Sequence, residues 1–289
     1  MTRTVAALAA ALLATSCGAP FMKLPSGPAG PASDGTDVVT QATRACRTVS
    51  TIKAEVAIRG SVAGRRLRAR LLAGLSTPES ARLEAPAPFG QPVFIFVARA
   101  GDATLLLPRD GRVLEHGRPE AILEALTGMS LTPSDLRTML TGCAETSAGS
   151  AARQFGDEWR VIPGANDVYL RRERLGEPWR IVAVVHRGPA RAEWRAEFRD
   201  FQNDLPRTIR IRSTDRRFDL TLGLSQVDIN APLEPDVFRV SLPGGVKPIT
   251  IEELRRSGPL ADTGAGPASR DSVDVGVRAT PDASIGNTP

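Results

Sequence analysis

The segment Ile52-Lys-Ala-Glu-Val-Ala-Ile-Arg59 decides the fold class, because its apolar and polar side chains alternate strictly. Gly60 and Gly64 predict a turn after it, and residues 66–71, Arg-Leu-Arg-Ala-Arg-Leu, alternate in the same way. Successive side chains of a strand point to opposite faces, so each run has one apolar and one polar face. The two runs predict an antiparallel hairpin that packs on a core with one face and meets solvent with the other.

Further short runs of this kind follow along the chain, and their connections contain Gly, Pro or Asp-Gly, as hairpin turns require. About ten to twelve sequential strands, each apolar on one face, predict a mainly β fold, either a barrel or a strongly bent sheet. The predicted strands after the first hairpin cover residues 81–85, 93–99, 104–108, 113–116, 158–162, 168–172, 178–187, 192–201, 208–213, 217–224 and 237–240.

Helices are predicted at three places. Asp37 is the expected N-cap of a short helix over residues 38–48. A pair of helices, over residues 119–127 and 134–140, interrupts the series of strands, with Thr132 or Ser134 at the start of the second and Gly142 at its end. We expect this pair either to plug the open side of the barrel or to cover it as a lid.

The N-terminal residues predict export and lipidation. Residues 1–16 combine Arg3, the apolar run Val5–Leu13 and small residues directly before Cys17, as in a secretory signal peptide. This ending resembles the lipobox of bacterial lipoproteins, in which the cysteine becomes the acylated mature N-terminus; an ordinary signal peptide with a chance cysteine is the alternative. By the same resemblance, Gly18 favours the outer membrane.

The segments that flank the predicted strands and helices have a different composition. Residues 17–36 are rich in Gly, Pro, Ser and Ala and predict a lipidated N-terminus followed by a flexible tether. Residues 256–289 have the same character and predict a disordered tail. The chain between them, residues 37–255, is expected to fold as one domain.

Charge and motif content exclude several classes of function. The net charge of +5 comes from scattered arginines that acidic residues regularly answer, which does not resemble the clustered basic stripe of a nucleic-acid-binding protein. Both histidines, His116 and His186, lie in predicted strands without metal-ligand spacing. We expect no enzyme activity, no metal and no cofactor. Charged side chains on predicted solvated strand positions include Glu193, Glu197, Asp200, Arg66, Arg68, Arg70, Arg171, Arg172, Arg210 and Arg212.

Short motifs resemble the LolA/LolB family of bacterial lipoprotein carriers and receptors. Pro88-Phe89-Gly90, Leu126-Thr-Gly-Met-Ser-Leu-Thr-Pro133 and Leu136-Arg-Thr-Met-Leu-Thr-Gly142 are similar to motifs that LolB has in this order, with Met139 in place of a tryptophan. Residues 230–243 resemble the C-terminal end of LolA. The resemblance spans residues 48–243 and implies an incomplete antiparallel barrel with a helical lid over an apolar cavity for acyl chains.

The resemblance also implies a function and partners. The chain would be an outer-membrane-anchored lipoprotein that accepts or inserts lipoproteins or lipids, with acyl chains as ligands and a periplasmic LolA-like carrier as a possible partner. The loop Pro88-Phe89-Gly90 would assist insertion into the membrane; a Phe89 side chain folded back on the core is the alternative. A non-catalytic envelope lipoprotein that serves as a scaffold for another protein is the alternative function.

Candidate cavity residues are apolar side chains on the inward strand positions and in the lid. Each of them could instead be plain core packing, because the pattern shows which face is buried and not whether a cavity remains. They are Ile52, Val56, Ile58, Leu67, Leu71, Phe94, Phe96, Leu106, Leu136, Met139, Leu140, Trp194, Phe198 and Leu222.

Cys46 and Cys143 are the cysteines besides Cys17. Two thiols in an oxidising envelope usually pair, so we predict a disulfide between the end of the first helix and the end of the lid, with two free buried thiols as the alternative.

Overall fold

The computed structural model describes residues 20–62, 64–87, 89–144, 146, 151–187, 194–215 and 217–257. In this part of the chain the protein is mostly β: one large, curved, open sheet of fifteen strands carries a few helices. The predicted fold class is confirmed. The strands are β1 (Gly30–Pro31), β2 (Thr51–Val62), β3 (Arg65–Ser76), β4 (Ser80–Ala85), β5 (Phe94–Arg99), β6 (Asp102–Leu107), β7 (Arg112–Gly117), β8 (Arg153–Phe155), β9 (Trp159–Ile162), β10 (Asn166–Arg171), β11 (Arg180–His186), β12 (Trp194–Arg199), β13 (Thr208–Ser213), β14 (Phe218–Ile229) and β15 (Lys247–Pro248).

The strand order is β1-β8-β9-β10-β11-β12-β13-β14-β2-β3-β4-β5-β6-β7-β15. Neighbouring strands are antiparallel except for β15, which pairs with β7 in parallel. The long strands β14, β2 and β3 join the two halves, since β2 pairs with β3 from Thr51↔Ser76 to Val62↔Arg65 and also with β14. The hairpin predicted from the segment around Ile52 therefore forms the centre of the sheet.

The helices are α1 (Gly35–Arg47), α2 (Pro119–Thr127), α3 (Pro133–Thr141) and α4 (Ile251–Ser257). Alternate side chains of the strands and the apolar sides of these helices share one core on the inner face of the sheet. Helix α4 packs on α2 through Leu254, which is fully buried. The lid helices lie where the sequence predicts them, and α4 extends two residues into the segment predicted as a disordered tail.

The first helix begins earlier than predicted. Asp34 occupies the N-cap position without a side-chain cap, and Asp37 lies in the first turn. The Asp34 side chain does not cap the helix because its carboxylate accepts two hydrogen bonds from Arg160, with Nε at 2.8 Å and Nη2 at 2.9 Å. This pair ties the start of α1 to β9.

The prediction of a strand over residues 237–240 is wrong. Pro235–Phe238 is a 3₁₀ helix that contacts β4 and β5, and Phe238 is buried. Pro235 has a fixed φ and no N–H to donate to a strand ladder, which favours a tight turn over a strand at this position. The strands β1, β8 and β15 and helix α4 were not predicted, because each is too short to show a hydrophobic period.

The described part of the predicted tether, residues 20–36, is bound to the sheet and is not free. Phe21 lies over the guanidinium groups of Arg195, Arg210 and Arg212, with 5.2, 4.2 and 4.3 Å between guanidinium carbon and ring centroid. The Met22 N–H donates to Glu197 Oε1 at 2.7 Å, and Gly30–Pro31 pairs with β8. Composition alone suggested flexibility, whereas these contacts to distant strands hold the segment in place.

Candidate functional site

An apolar cavity lies between the inner face of the sheet and the two-helix lid, and its volume is about 510 Å³. Strands β2 to β5, β13 and β14 supply one wall, and α2, the segment 128–132 and α3 supply the other. The lining is predominantly apolar, as ligand cavities in proteins usually are. The apolar lining residues are Val56, Ile58, Val62, Leu67, Leu71, Ala73, Leu83, Phe94, Leu123, Ala125, Leu126, Met129, Leu131, Leu136, Met139, Leu140, Ile211, Leu220 and Leu222.

Local sequence explains the shape of the lid. Gly128 ends α2 with a left-handed φ of 77°, and Gly142 ends α3 with a φ of 69°. A capping box starts α3, since the Asp135 N–H donates to Thr132 Oγ1 at 3.1 Å and the Thr132 N–H donates to Asp135 Oδ2 at 2.8 Å. Of the two predicted caps, Thr132 is the one that acts. These signals fix two short helices with a sharp turn between them over the cavity.

A disulfide fixes one end of the lid. Cys46, near the end of α1, is bonded to Cys143, two residues after α3, with 5.5 Å between their Cα atoms. The predicted pairing is therefore present. Gly142 also lies against Pro206, so that a Cβ atom at this position would be 3.2 Å from the proline ring. The C-terminal end of α3 is thus held from two sides.

Charged side chains border the apolar cavity at one end. Arg65 and Arg66 begin β3, Arg217 immediately precedes β14, and Arg255 belongs to α4. Glu124 of α2 is the carboxylate among the described residues that line the cavity. The prediction that Arg66 lies on an outward strand position is thereby modified, because this arginine stands at the cavity mouth.

The cavity contains nine of the fourteen predicted lining residues: Val56, Ile58, Leu67, Leu71, Phe94, Leu136, Met139, Leu140 and Leu222. Ile52, Phe96 and Phe198 are instead packed within the core, and Trp194 is a partly buried residue against it. Leu106 was assigned to the wrong face: it pairs with Ile95 on β5, while its neighbours Leu105 and Leu107 belong to the core. Because successive side chains of a strand point to opposite faces, three consecutive leucines cannot all face the core.

The lid contributes lining residues that the sequence interpretation missed. Leu123, Leu126, Met129 and Leu131 all face the cavity. Leu123 and Leu126 are three positions apart on α2, and this helical spacing was the signal that could have found them. The segment after α2 gave no periodic signal.

Phe89 projects into solvent with 89% of its surface exposed. Gly90, with a left-handed φ of 77°, turns the chain directly after it, and Pro88 lies outside the described residues. The alternative that Phe89 folds back on the core is excluded by this exposure.

The outer face of β12 and β13 is not the solvated surface that the sequence predicts. Glu197 is 0% exposed and accepts hydrogen bonds from Arg195 and Arg199 beneath the N-terminal segment. Burial is the main cause that lowers the pKa of Arg195, and the negative charge of Glu197 opposes it. These groups form a structural network that fixes residues 20–22, and the predicted carboxylate Glu193 lies outside the described residues.

The two histidines have local partners. His186 stacks on Trp194 with 5.3 Å between the ring centroids, and its Nδ1 is 2.7 Å from Asn166 Oδ1. His116 Nδ1 lies 3.3 Å from Asp102 Oδ2 at an exposed position. Among the described side chains, no group of three or more His, Cys, Asp or Glu could hold a metal ion. Within the same part of the chain, no helix has both the length and the apolar character needed to cross a membrane.

Several proteins of known structure are similar to this chain. A LolA superfamily protein from Nitrosomonas europaea is similar over 71% of this chain and 97% of its own, with a TM-score of 0.50 and 12% identity. A putative outer membrane lipoprotein-sorting protein domain from Vibrio parahaemolyticus covers 71% and 96% of the two chains, with a TM-score of 0.44 and 14% identity. A DUF1329 family protein from Desulfovibrio piger covers 71% and 95%, with a TM-score of 0.46 and 10% identity.

At these identities the first comparison shows a shared LolA-like fold. The finer likeness to LolB rests on the short sequence motifs alone. No protein-family model matches the chain, and no curated protein matches it.

Proposed function

We propose that this chain is an envelope lipoprotein whose cavity binds the acyl chains of a lipid or of another lipoprotein. The observation that carries the proposal is the apolar cavity of about 510 Å³ between sheet and lid. This volume lies within the range of roughly 300–1,000 Å³ that is typical of ligand sites. The LolA-like fold supports it, since the resemblance to the LolA/LolB family implies acyl chains in an apolar cavity under a helical lid.

The physical chemistry of the lining favours such a ligand. Transfer of one CH₂ group from water to an apolar site contributes about 0.8 kcal/mol. Ten methylenes of one chain would contribute about 8 kcal/mol before the entropic costs of binding are subtracted. A neutral acyl chain leaves no polar group unpaired in the cavity. In this proposal the site binds and carries a lipid or lipoprotein and catalyses no reaction.

The membrane association is proposed on the sequence. Cys17 would carry the acyl anchor after removal of residues 1–16, and two or more acyl chains hold a protein stably on a bilayer. Phe89, exposed beside Gly90, would enter the outer membrane during delivery of the bound lipoprotein. A periplasmic LolA-like carrier would be the donor of the cargo.

Lipid extraction and mass spectrometry of the purified protein test the binding proposal. For this purpose the chain is secreted with an ordinary cleavable signal and Cys17→Ser, so that its own anchor does not supply acyl chains. We expect co-purifying lipids in about stoichiometric amounts. A protein that carries no lipid and takes up no palmitate in a titration would contradict the proposal and favour the scaffold function.

A matched pair of substitutions locates the ligand. Leu71 lines the cavity, whereas the next residue, Leu72, points to the opposite face and is 45% exposed. Leu71→Trp should weaken palmitate binding about tenfold or more, since the larger side chain takes up cavity space and steric overlap with the ligand costs about 1–3 kcal/mol. Leu72→Trp should leave binding unchanged. Equal effects of the two substitutions would place the ligand elsewhere.

A further inference from the structure

Three neighbouring strand ends meet at the charged end of the cavity. Phe218, the first residue of β14, pairs with Val62 of β2, and Val62 pairs with Arg65 of β3. Arg217 and Arg66 therefore belong to the same edge of the sheet, at the cavity mouth. Across the cavity, Arg255 reaches the same space from α4, which packs on α2.

We infer that the cavity takes an anionic amphiphile, with its acyl chains inside and a phosphate or carboxylate head held by the arginines of the mouth. This inference rests on the proposed binding of acyl chains and adds the chemical class of the head group. The mouth arginines are Arg65, Arg66, Arg217 and Arg255. The wall beyond them is apolar, so one surface offers both halves of an amphiphile their matching environment.

The balance of charge at the mouth is positive. Arg66, Arg217 and Arg255 line the cavity together with Glu124, and Asp215 pairs with Arg217. Hydrogen bonds from the Ser213 side chain and the Arg217 N–H lower the pKa of Asp215, so this carboxylate stays ionised at neutral pH. Exposed ion pairs of this kind contribute little to stability, and the Arg217 guanidinium can exchange Asp215 for a ligand anion.

Arginine suits this task better than lysine would. Its planar guanidinium binds the two oxygens of a phosphate or carboxylate at once and is weakly hydrated. Several such groups at the rim hold the head at the surface while the chains enter the cavity.

The test compares two amphiphiles with the same chain: palmitoyl lysophosphatidate, whose head is a phosphate, and monopalmitoylglycerol, whose head is neutral. Both displace a fluorescent apolar probe from the secreted Cys17→Ser protein below their micelle concentrations. We expect the lysophosphatidate to bind about tenfold more tightly at low salt, since a few exposed charge pairs contribute a few-fold each. The difference should shrink at about 1 M NaCl, where the Debye length is about 3 Å.

Charge variants assign the effect to the mouth. Arg66→Gln/Arg217→Gln/Arg255→Gln should abolish the preference for lysophosphatidate, so that its affinity falls to that of monopalmitoylglycerol. The control is Arg47→Gln/Arg99→Gln/Arg153→Gln, which has the same change of net charge at three exposed arginines that do not line the cavity. It should retain the preference for lysophosphatidate. Thermal unfolding checks that both variants are folded.

Each remaining outcome decides the inference. Equal affinities of the wild-type protein for the two amphiphiles, or an equal loss in both triple variants, would overturn it and leave acyl-chain binding intact. Failure of both amphiphiles to displace the probe would overturn the proposed function as well. Saturable binding of inorganic phosphate alone, abolished by the mouth variant, would assign the arginines to a free anion and refute the amphiphile.

Discussion

Reduction of the Cys46–Cys143 disulfide should destabilise the fold strongly. The two cysteines are 97 residues apart in sequence, and the bridge closes this loop in the unfolded chain as well as in the folded one. The lost loop entropy raises the free energy of the unfolded state by about 4.7 kcal/mol. Residual structure in the unfolded chain lowers the value, so we expect a loss of about 2–4 kcal/mol in the free energy of unfolding upon reduction.

Equilibrium unfolding in urea, with and without a reductant, measures this loss on one protein. For a slope of about 3 kcal/mol per molar urea, the midpoint should fall by about 1 M. The Cys46→Ala/Cys143→Ala variant is the control, because it lacks both thiols and its midpoint should not respond to the reductant. Mass spectrometry after alkylation verifies the redox state of each sample. An unchanged midpoint of the fully reduced wild-type protein would refute the reasoning.

Three further substitutions test other parts of the molecule. Phe89→Glu should leave the melting temperature unchanged and abolish transfer of a bound lipoprotein to liposomes, whereas Leu175→Glu, at another side chain that is 80% exposed, should transfer normally; normal transfer by the Phe89 variant would reject the role of the loop. Glu197→Ala should lower the free energy of unfolding by about 3 kcal/mol, because two arginines lose their buried counter-ion; a change below about 0.5 kcal/mol in urea unfolding would contradict this. Hydrogen bonds from Arg160 lower the pKa of Asp34 below its ordinary 3.8, so this pair stabilises the fold above the unfolded pKa and its contribution is lost as the pH falls through the lowered pKa. The difference in the free energy of unfolding between wild type and Asp34→Asn should therefore be present at pH 7 and disappear in acid. A constant difference down to about pH 2.5 would exclude the mechanism.

Local patterns predicted the fold well, because strands and helices with one buried face carry their period in the sequence. Residues 208–213 and 119–127 match β13 and α2 without error. The cavity was predicted less completely, since period 2 identifies the inner face and not the places where side chains leave space. Phe96 and Phe94 have the same pattern, yet Phe94 borders the cavity and Phe96 is packed within the core.

The position of the N-terminal segment could not be predicted from local pattern, because its partners are about 175 residues away in sequence. The Met22 N–H binds Glu197, and the Pro20 carbonyl accepts a hydrogen bond of 2.6 Å from Arg199. Gly and Pro composition indicates that a segment cannot form its own core. It does not indicate whether another surface binds it.

This docking changes what a lipid anchor at Cys17 would do. Three residues of fully extended chain span at most about 11 Å, so an acylated Cys17 would lie within about that distance of Pro20 on the outer face of β12. A free tether of twenty residues, by contrast, would allow the domain to stand well away from the bilayer and to rotate. As long as Phe21 stays between its three arginines, the anchor would therefore hold the sheet close to the membrane with a restricted orientation. The contacts of Phe21, the hydrogen bond of the Met22 N–H to Glu197 and that of the Pro20 carbonyl with Arg199 would all oppose release of residues 20–22 from this position.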